Sequence, residues 1–143
     1  MKIKKILIVT IAFFAIQIVT AQDELESIKN TLMDYIEGTS NESPNRLRRA
    51  FHPDFNLYTV ANDTLRIRSG EQYIGYFKEG EKNSRQGRII SIDYENDAAI
   101  AKAEILIPGR AVYTDYFMLL KYKGSWKIVH KSYTSRKYPE TKN

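Results

Sequence analysis

AVYTDYFMLLKYKGSWKIVHKSY, running from Ala111 to Tyr133, is the stretch that decides how the rest of the chain is read. β-Branched and aromatic residues fill both halves, and Lys123-Gly124-Ser125 lies between them, which predicts a long β-hairpin closed by a glycine turn. Side chains alternate along a strand, so Tyr113, Asp115, Phe117 and Leu119 share one face of the first arm. Val112, Thr114, Tyr116, Met118 and Leu120 share the other. Both faces are largely apolar, so the arm is expected at the centre of a sheet with cover on each side. Asp115, embedded in that run, is the first candidate functional residue; a hydrogen-bonded structural aspartate is the reading that competes with it.

Upstream of the hairpin, Arg88 to Glu95 and Ala98 to Ile107 read as two strands joined at Asn96-Asp97, and Pro108-Gly109 turns the chain into the hairpin. Ala98, Ala99, Ala101 and Ala103 are poor strand formers and leave a helix open as the alternative there, unless something bulky approaches closely. Ser69 with Gln72 forms a capping-box pattern for a helix carrying Tyr73, Ile74 and Phe77 and closed by Gly80; Glu79 to Gly87 reads as an exposed loop. Phe55 to Ala61 and Leu65 to Arg68 are short strands about an Asn62-Asp63 turn. At the front, Leu25, Ile28, Leu32, Tyr35 and Ile36 make one helical stripe, with Gly38 as its stop. Ser43-Pro44 opens a second helix ending near His52 ahead of Pro53. Helices segregated from a four-strand meander predict an α+β fold, a curved antiparallel sheet wrapped around the N-terminal helices.

Residues 1–21 combine Lys2, Lys4 and Lys5, an apolar run from Ile6 to Ile16, and Val19-Thr20-Ala21, a signal-peptide pattern with cleavage after Ala21. Residues 22–143 then form a single domain that is secreted or periplasmic, with no membrane contact after cleavage. Three of the 22 Lys and Arg precede Ala21 and none of the 17 Asp and Glu do, leaving 19 against 17 and a charge of +2. The remaining basic residues are interspersed with acidic ones, which argues against nucleic-acid binding. No cysteine is present, so the fold rests on its core rather than on disulfides.

The helical YIEGT, RRAFHPDFNLY, IISIDYENDAAIAKAEI and YTDYFMLLKYKGSWKIVHKSY together resemble the nuclear transport factor 2-like superfamily. Within it the chain looks most like the bacterial putative lumazine-binding family. That resemblance implies a cystatin-like cone with a pocket between sheet and helices, often paired as a homodimer through the sheet. Ketosteroid isomerase and polyketide cyclases share the superfamily. By that comparison Tyr35 falls at the oxyanion tyrosine, Asp115 at the protonated acid, and Thr59 where the base would be. Isomerase chemistry of this kind needs an Asp base as well as the two donors. A threonine hydroxyl is too weak a base to replace it.

Tyr35, Phe55, Thr59, Tyr73, Phe77, Tyr113, Asp115 and Phe117 are therefore the expected ligand-binding set, with core filling as the competing role for each aromatic. Tyr35, Asp115 and His52 are the candidate catalytic residues, and His52, Asp54 or Asp93 the candidate bases. His52 and His130 lie too far apart in sequence to imply a metal site, and His52 is expected to cap a helix end. Lys131 and Arg136 could attract an anion, but on a final strand they are expected to be exposed along a sheet edge. No glycine-rich phosphate loop, nucleophile elbow or zinc motif is present, so no cofactor is expected. The leading function is a non-catalytic binder of a small apolar or aromatic molecule. The alternative is an isomerase, dehydratase or cyclase using Tyr35 and Asp115.

Overall fold

The computed structural model describes residues 22–139. The expected signal segment, residues 1–21, lies outside the described residues.

Helix α1 covers residues 22–40 and buries Ile28, Leu32, Tyr35, Ile36 and Thr39 along one side. Gly38 is not its stop. It sits inside the last turn, where a Cβ would come within 2.8 Å of Leu47 Cδ2, so the bare backbone lets helix α2, Pro44–Ala50, dock against it. The chain turns between them at Glu42, with φ 50. Asp34 on α1 accepts from Arg46 Nε at 3.0 Å and Arg49 Nη2 at 2.8 Å, fixing the two helices together. Ser43 occupies the N-cap position of α2 but makes no side-chain capping hydrogen bond.

Strand β1, Phe51–Ala61, follows α2 at once, so His52 and Pro53 belong to a strand and not to a helix end. Proline cannot donate to a ladder, and the β1 pairing is correspondingly irregular between Phe51 and Asn56. β2, Thr64–Ser69, returns antiparallel to β1. The Ser69–Gln72 capping box forms and starts α3, Gly70–Ile74, which Gly75 rather than Gly80 ends.

The meander follows as β3, Gln86–Glu95, β4, Ala98–Ile107, β5, Ala111–Tyr122, and β6, Ser125–Lys137. The alanine-rich segment is strand throughout, and Ala99, Ala101 and Ala103 face the core. The β5–β6 turn places Lys123 and Gly124 at φ 49 and 79, the left-handed pair that a tight hairpin favours.

The six strands run in the order β2-β1-β6-β5-β4-β3 and form one open sheet. It is mixed rather than wholly antiparallel, because β1 runs parallel to β6 while the other neighbouring pairs are antiparallel. Register shifts between Ile89 and Ser91 and between Met118 and Leu119 mark bulges, which bend strands and increase twist. The result is an α+β cone with the core between helices and inner sheet face. Small residues let the layers approach: a Cβ on Gly87 would fall 2.5 Å from Ile36 Cγ2 on α1. At the other end of α1, Trp126 Nε1 donates to Glu24 Oε2 at 2.8 Å, and Lys121 also pairs with Glu24.

Cover on both faces of β5 is not what the chain provides. Phe117 and Leu119 are buried on the inner face, whereas Tyr116, Met118 and Leu120 are 47%, 54% and 45% exposed on the outer one. β6 is also no edge; it lies between β1 and β5.

Candidate functional site

Alternation along β5 sends Asp115 to the inner face, where it is 1% exposed. Across the ladder Asp115 opposes Tyr133, and Lys131, two residues earlier on β6, is its diagonal neighbour. Lys131 is 3% exposed, and its Nζ donates to Asp115 Oδ1 at 3.2 Å and to Tyr35 Oη at 2.7 Å. Tyr35 reaches down from α1 and donates its own proton to Asp115 Oδ2 at 2.6 Å. The Tyr73 hydroxyl, carried just inside the end of α3, lies 3.4 Å from that of Tyr35. Lys131 Nζ also stands 4.9, 4.8 and 5.1 Å from the ring centres of Tyr35, Tyr73 and Tyr133. Aromatic faces and a carboxylate thus replace the water the ammonium has lost.

These contacts favour the protonated forms of Tyr35 and Lys131. Burial, the Asp115 carboxylate and Tyr73 push the Tyr35 phenol well above its ordinary value. For Lys131 burial opposes the charge, but the attraction of Asp115 and the contact with Tyr73 outweigh it, and its pKa is raised. Lys131 is therefore an ammonium at neutral pH. It is suited to donating hydrogen bonds and unsuited to nucleophilic attack, which needs the free amine. Among the described residues no buried side-chain N or O lacks a partner.

Above this floor opens a cavity of about 430 Å³, lined by Tyr35, Tyr73, Phe77, Tyr113 and Asp115 from the expected set. That volume is in the usual range of small-molecule sites. Phe55, Thr59 and Phe117 do not line it. Phe55 stacks on Phe51 with centroids 4.0 Å apart, and Phe117 meets the Tyr35 ring edge-on at 5.0 Å, both within the core. Thr59 donates to the Tyr133 carbonyl at 3.0 Å.

The candidate bases lie elsewhere. His52 is half-buried against the Tyr122 ring at 4.8 Å, and its Nδ1 accepts from the Asp54 amide at 3.1 Å, so it caps no helix. The Asp54 and Asp93 side chains are exposed and do not line the cavity. His130 packs on Tyr58, with ring centroids 4.8 Å apart. Among the described residues no group of three His, Cys, Asp or Glu is placed to hold a metal.

Sequence reasoning named Lys131 but set it on an exposed edge, and it missed Tyr133, Arg68, Arg85 and Arg110; all five line the cavity. Val129 is surplus in β6, since Met118 pairs with His130 and Leu119 with Ile128. This bulge turns Lys131 inward, where alternation counted from Trp126 and Ile128 would turn it out. Arg136, by contrast, is exposed and reaches Glu104 at 3.4 Å.

A family model described as putative lumazine-binding matches residues 23–134. Solved structures of NTF2-like proteins of unknown function share the fold. The Shewanella baltica protein has TM-score 0.73 and 24% identity, over 81% of this chain and 96% of its own. That from Silicibacter pomeroyi has TM-score 0.72 and 19% identity, over 81% of this chain and 98% of its own. A protein named Aldolase FrzH, from Cladobotryum, is 28% identical over 120 residues, 81% of this chain and 93% of its own length.

Removing one member of a buried pair strands the other. Asp115→Leu or Lys131→Met should each cost about 3–5 kcal/mol in urea unfolding, and the two together less than either alone; additive losses would show that the pair is not coupled. The pH dependence has a definite sign. Tyr35 and Lys131 both titrate higher in the folded than in the unfolded state, so their contribution is complete below about pH 10 and is lost as pH rises through the folded values. Wild-type stability should accordingly fall more steeply above about pH 10 than that of a Tyr35→Phe, Lys131→Met double variant, measured by the same unfolding.

Proposed function

The chain belongs to the putative lumazine-binding family of NTF2-like proteins, and on that premise we propose that it binds a small ring-containing molecule in the cone without transforming it. The cavity of about 430 Å³ above the Tyr35–Asp115–Lys131 floor carries this reading. Tyr73, Phe77 and Tyr113 supply flat walls, and Leu57, Ile105 and Ile107 an apolar lining.

A catalyst of the isomerase kind needs a base within hydrogen-bond reach of its substrate. His52, Asp54 and Asp93 are outside the cavity, and Asp115 is already engaged by Tyr35 and Lys131. A rigid, internally satisfied floor suits recognition better than proton transfer. Similarity to a protein named an aldolase supports a second reading, carbonyl chemistry with Tyr35 and Lys131 as donors to a substrate oxygen.

Thermal shift with lumazine and a panel of small aromatic carbonyl compounds separates these readings. At least one should raise the wild-type Tm by several degrees, fail to do so in Ile107→Trp, where an indole fills the cavity, and be recovered unchanged by mass spectrometry. Recovery of an altered compound would favour the second reading. A panel without a single shift would remove both.

Export and pairing are part of the same proposal. The pattern over residues 1–21 supports export with cleavage after Ala21. The exposed outer face, where Ile100 pairs with Met118 and Ala98 with Leu120, supports a homodimer through the sheet. Mass measurements on the exported protein test both: an intact mass beginning at Gln22 and a light-scattering mass twice that. An uncleaved chain or a monomer mass would defeat the corresponding half.

A further inference from the structure

The ionisable groups lining the cavity are Arg68, Arg85, Arg110 and Lys131 against the single carboxylate Asp115, apart from its tyrosines. Lys131 and Asp115 neutralise each other. Three guanidiniums therefore surround one hollow without a counter-charge from the lining.

Elsewhere five of the six other arginines are paired, and the exception, Arg66 on β2, is exposed to solvent. Arg46, Arg48, Arg49, Arg88 and Arg136 each stand within 4.0 Å of a carboxylate. None of the cavity arginines does so among the described residues. Their supports are apolar, neutral or main-chain instead. Arg68, half-buried on β2, interacts with the phenols of Tyr76 and Tyr133. Arg85 lies over the Phe77 ring at 5.1 Å, on a segment that Asn83 fastens to the end of α1 by donating to the Thr39 carbonyl at 2.8 Å and to Glu42. Arg110 projects from the β4–β5 turn, where its amide donates to the Ile107 carbonyl at 3.0 Å. Three separate elements thus bring positive charge to one opening, and like charges gathered in a concavity repel unless an anion joins them.

We infer that the guest is an organic anion, a flat apolar body bearing a carboxylate or phosphate that the three arginines receive at the mouth while the body lies between Tyr73, Phe77 and Tyr113. This rests on the binding reading and narrows its apolar or aromatic guest to an amphipathic one. Guanidiniums match both oxyanions in geometry.

Calorimetric titration of the wild-type chain with 2-naphthoate, 2-naphthyl phosphate and the neutral 2-naphthalenemethanol decides it, with Arg68→Gln, Arg85→Gln and Arg110→Gln as variants. At least one anion should bind roughly tenfold more tightly than the alcohol, weaken with added salt, and lose about tenfold in at least two of the variants, whose affinity for the alcohol stays unchanged. Arg66→Gln, outside the cavity, should alter nothing. The stronger of the two anions identifies the headgroup. Equal binding of alcohol and anions, indifferent to the substitutions, would overturn the anion and leave the cavity reading intact. Binding of none of the three would overturn both.

Discussion

A buried ammonium facing a buried carboxylate sets the terms for the rest of the fold. Desolvating two charges costs several kcal/mol per ion, and their attraction offsets this only when the remaining lone pairs and protons are also satisfied. The Lys131–Asp115 pair meets that condition by drawing Tyr35 from α1, Tyr73 from α3 and the Tyr133 face from its own strand. Helix and sheet are therefore held at the spacing the pair requires, and Ile28, Leu32, Phe117 and Leu119 pack in the apolar core between the same two layers. The hollow adjoins the polar cluster, whose Tyr35, Asp115 and Lys131 line it.

The cone is consequently polarised along its depth. Its floor is charged yet neutral in sum, fixed by short hydrogen bonds between side chains from different elements. Its mouth is cationic, with guanidiniums held by phenols, an aromatic face and a turn. Between them lie aromatic and aliphatic walls, which are tolerant of guest shape and poor at recognising polar detail. On the proposed binding reading, selectivity resides at the two ends.

How far the sequence revealed this follows from the range of the interactions. The central hairpin, the capping box at Ser69 and the inward facing of Tyr35 and Asp115 are local or periodic, so they were legible. Thr59, Phe55 and Phe117 were also correctly inward or half-buried, but whether an inward side chain meets a void or a neighbour depends on tertiary packing. Lys131 was misjudged because chain order made β6 look like an edge, and counting alternation along β6 would not have rescued it, since the surplus residue at Val129 reverses the apparent facing. The β1–β6 pairing that places β6 inside the sheet joins segments more than sixty residues apart, beyond any local signal. Arg68, Arg85 and Arg110 sit in segments that look like ordinary solvated surface, and only the closing of the cone collects them.

The bulge at Val129 has one more implication. Met118 already pairs with His130 and Leu119 with Ile128, so excising Val129 would join two well-matched halves of the ladder and leave every side chain on its present face. Only the local bend would go. Along β6, then, the shape of the interior and the identity of the groups presented to it are independent variables, the first set by chain length and the second by residue choice.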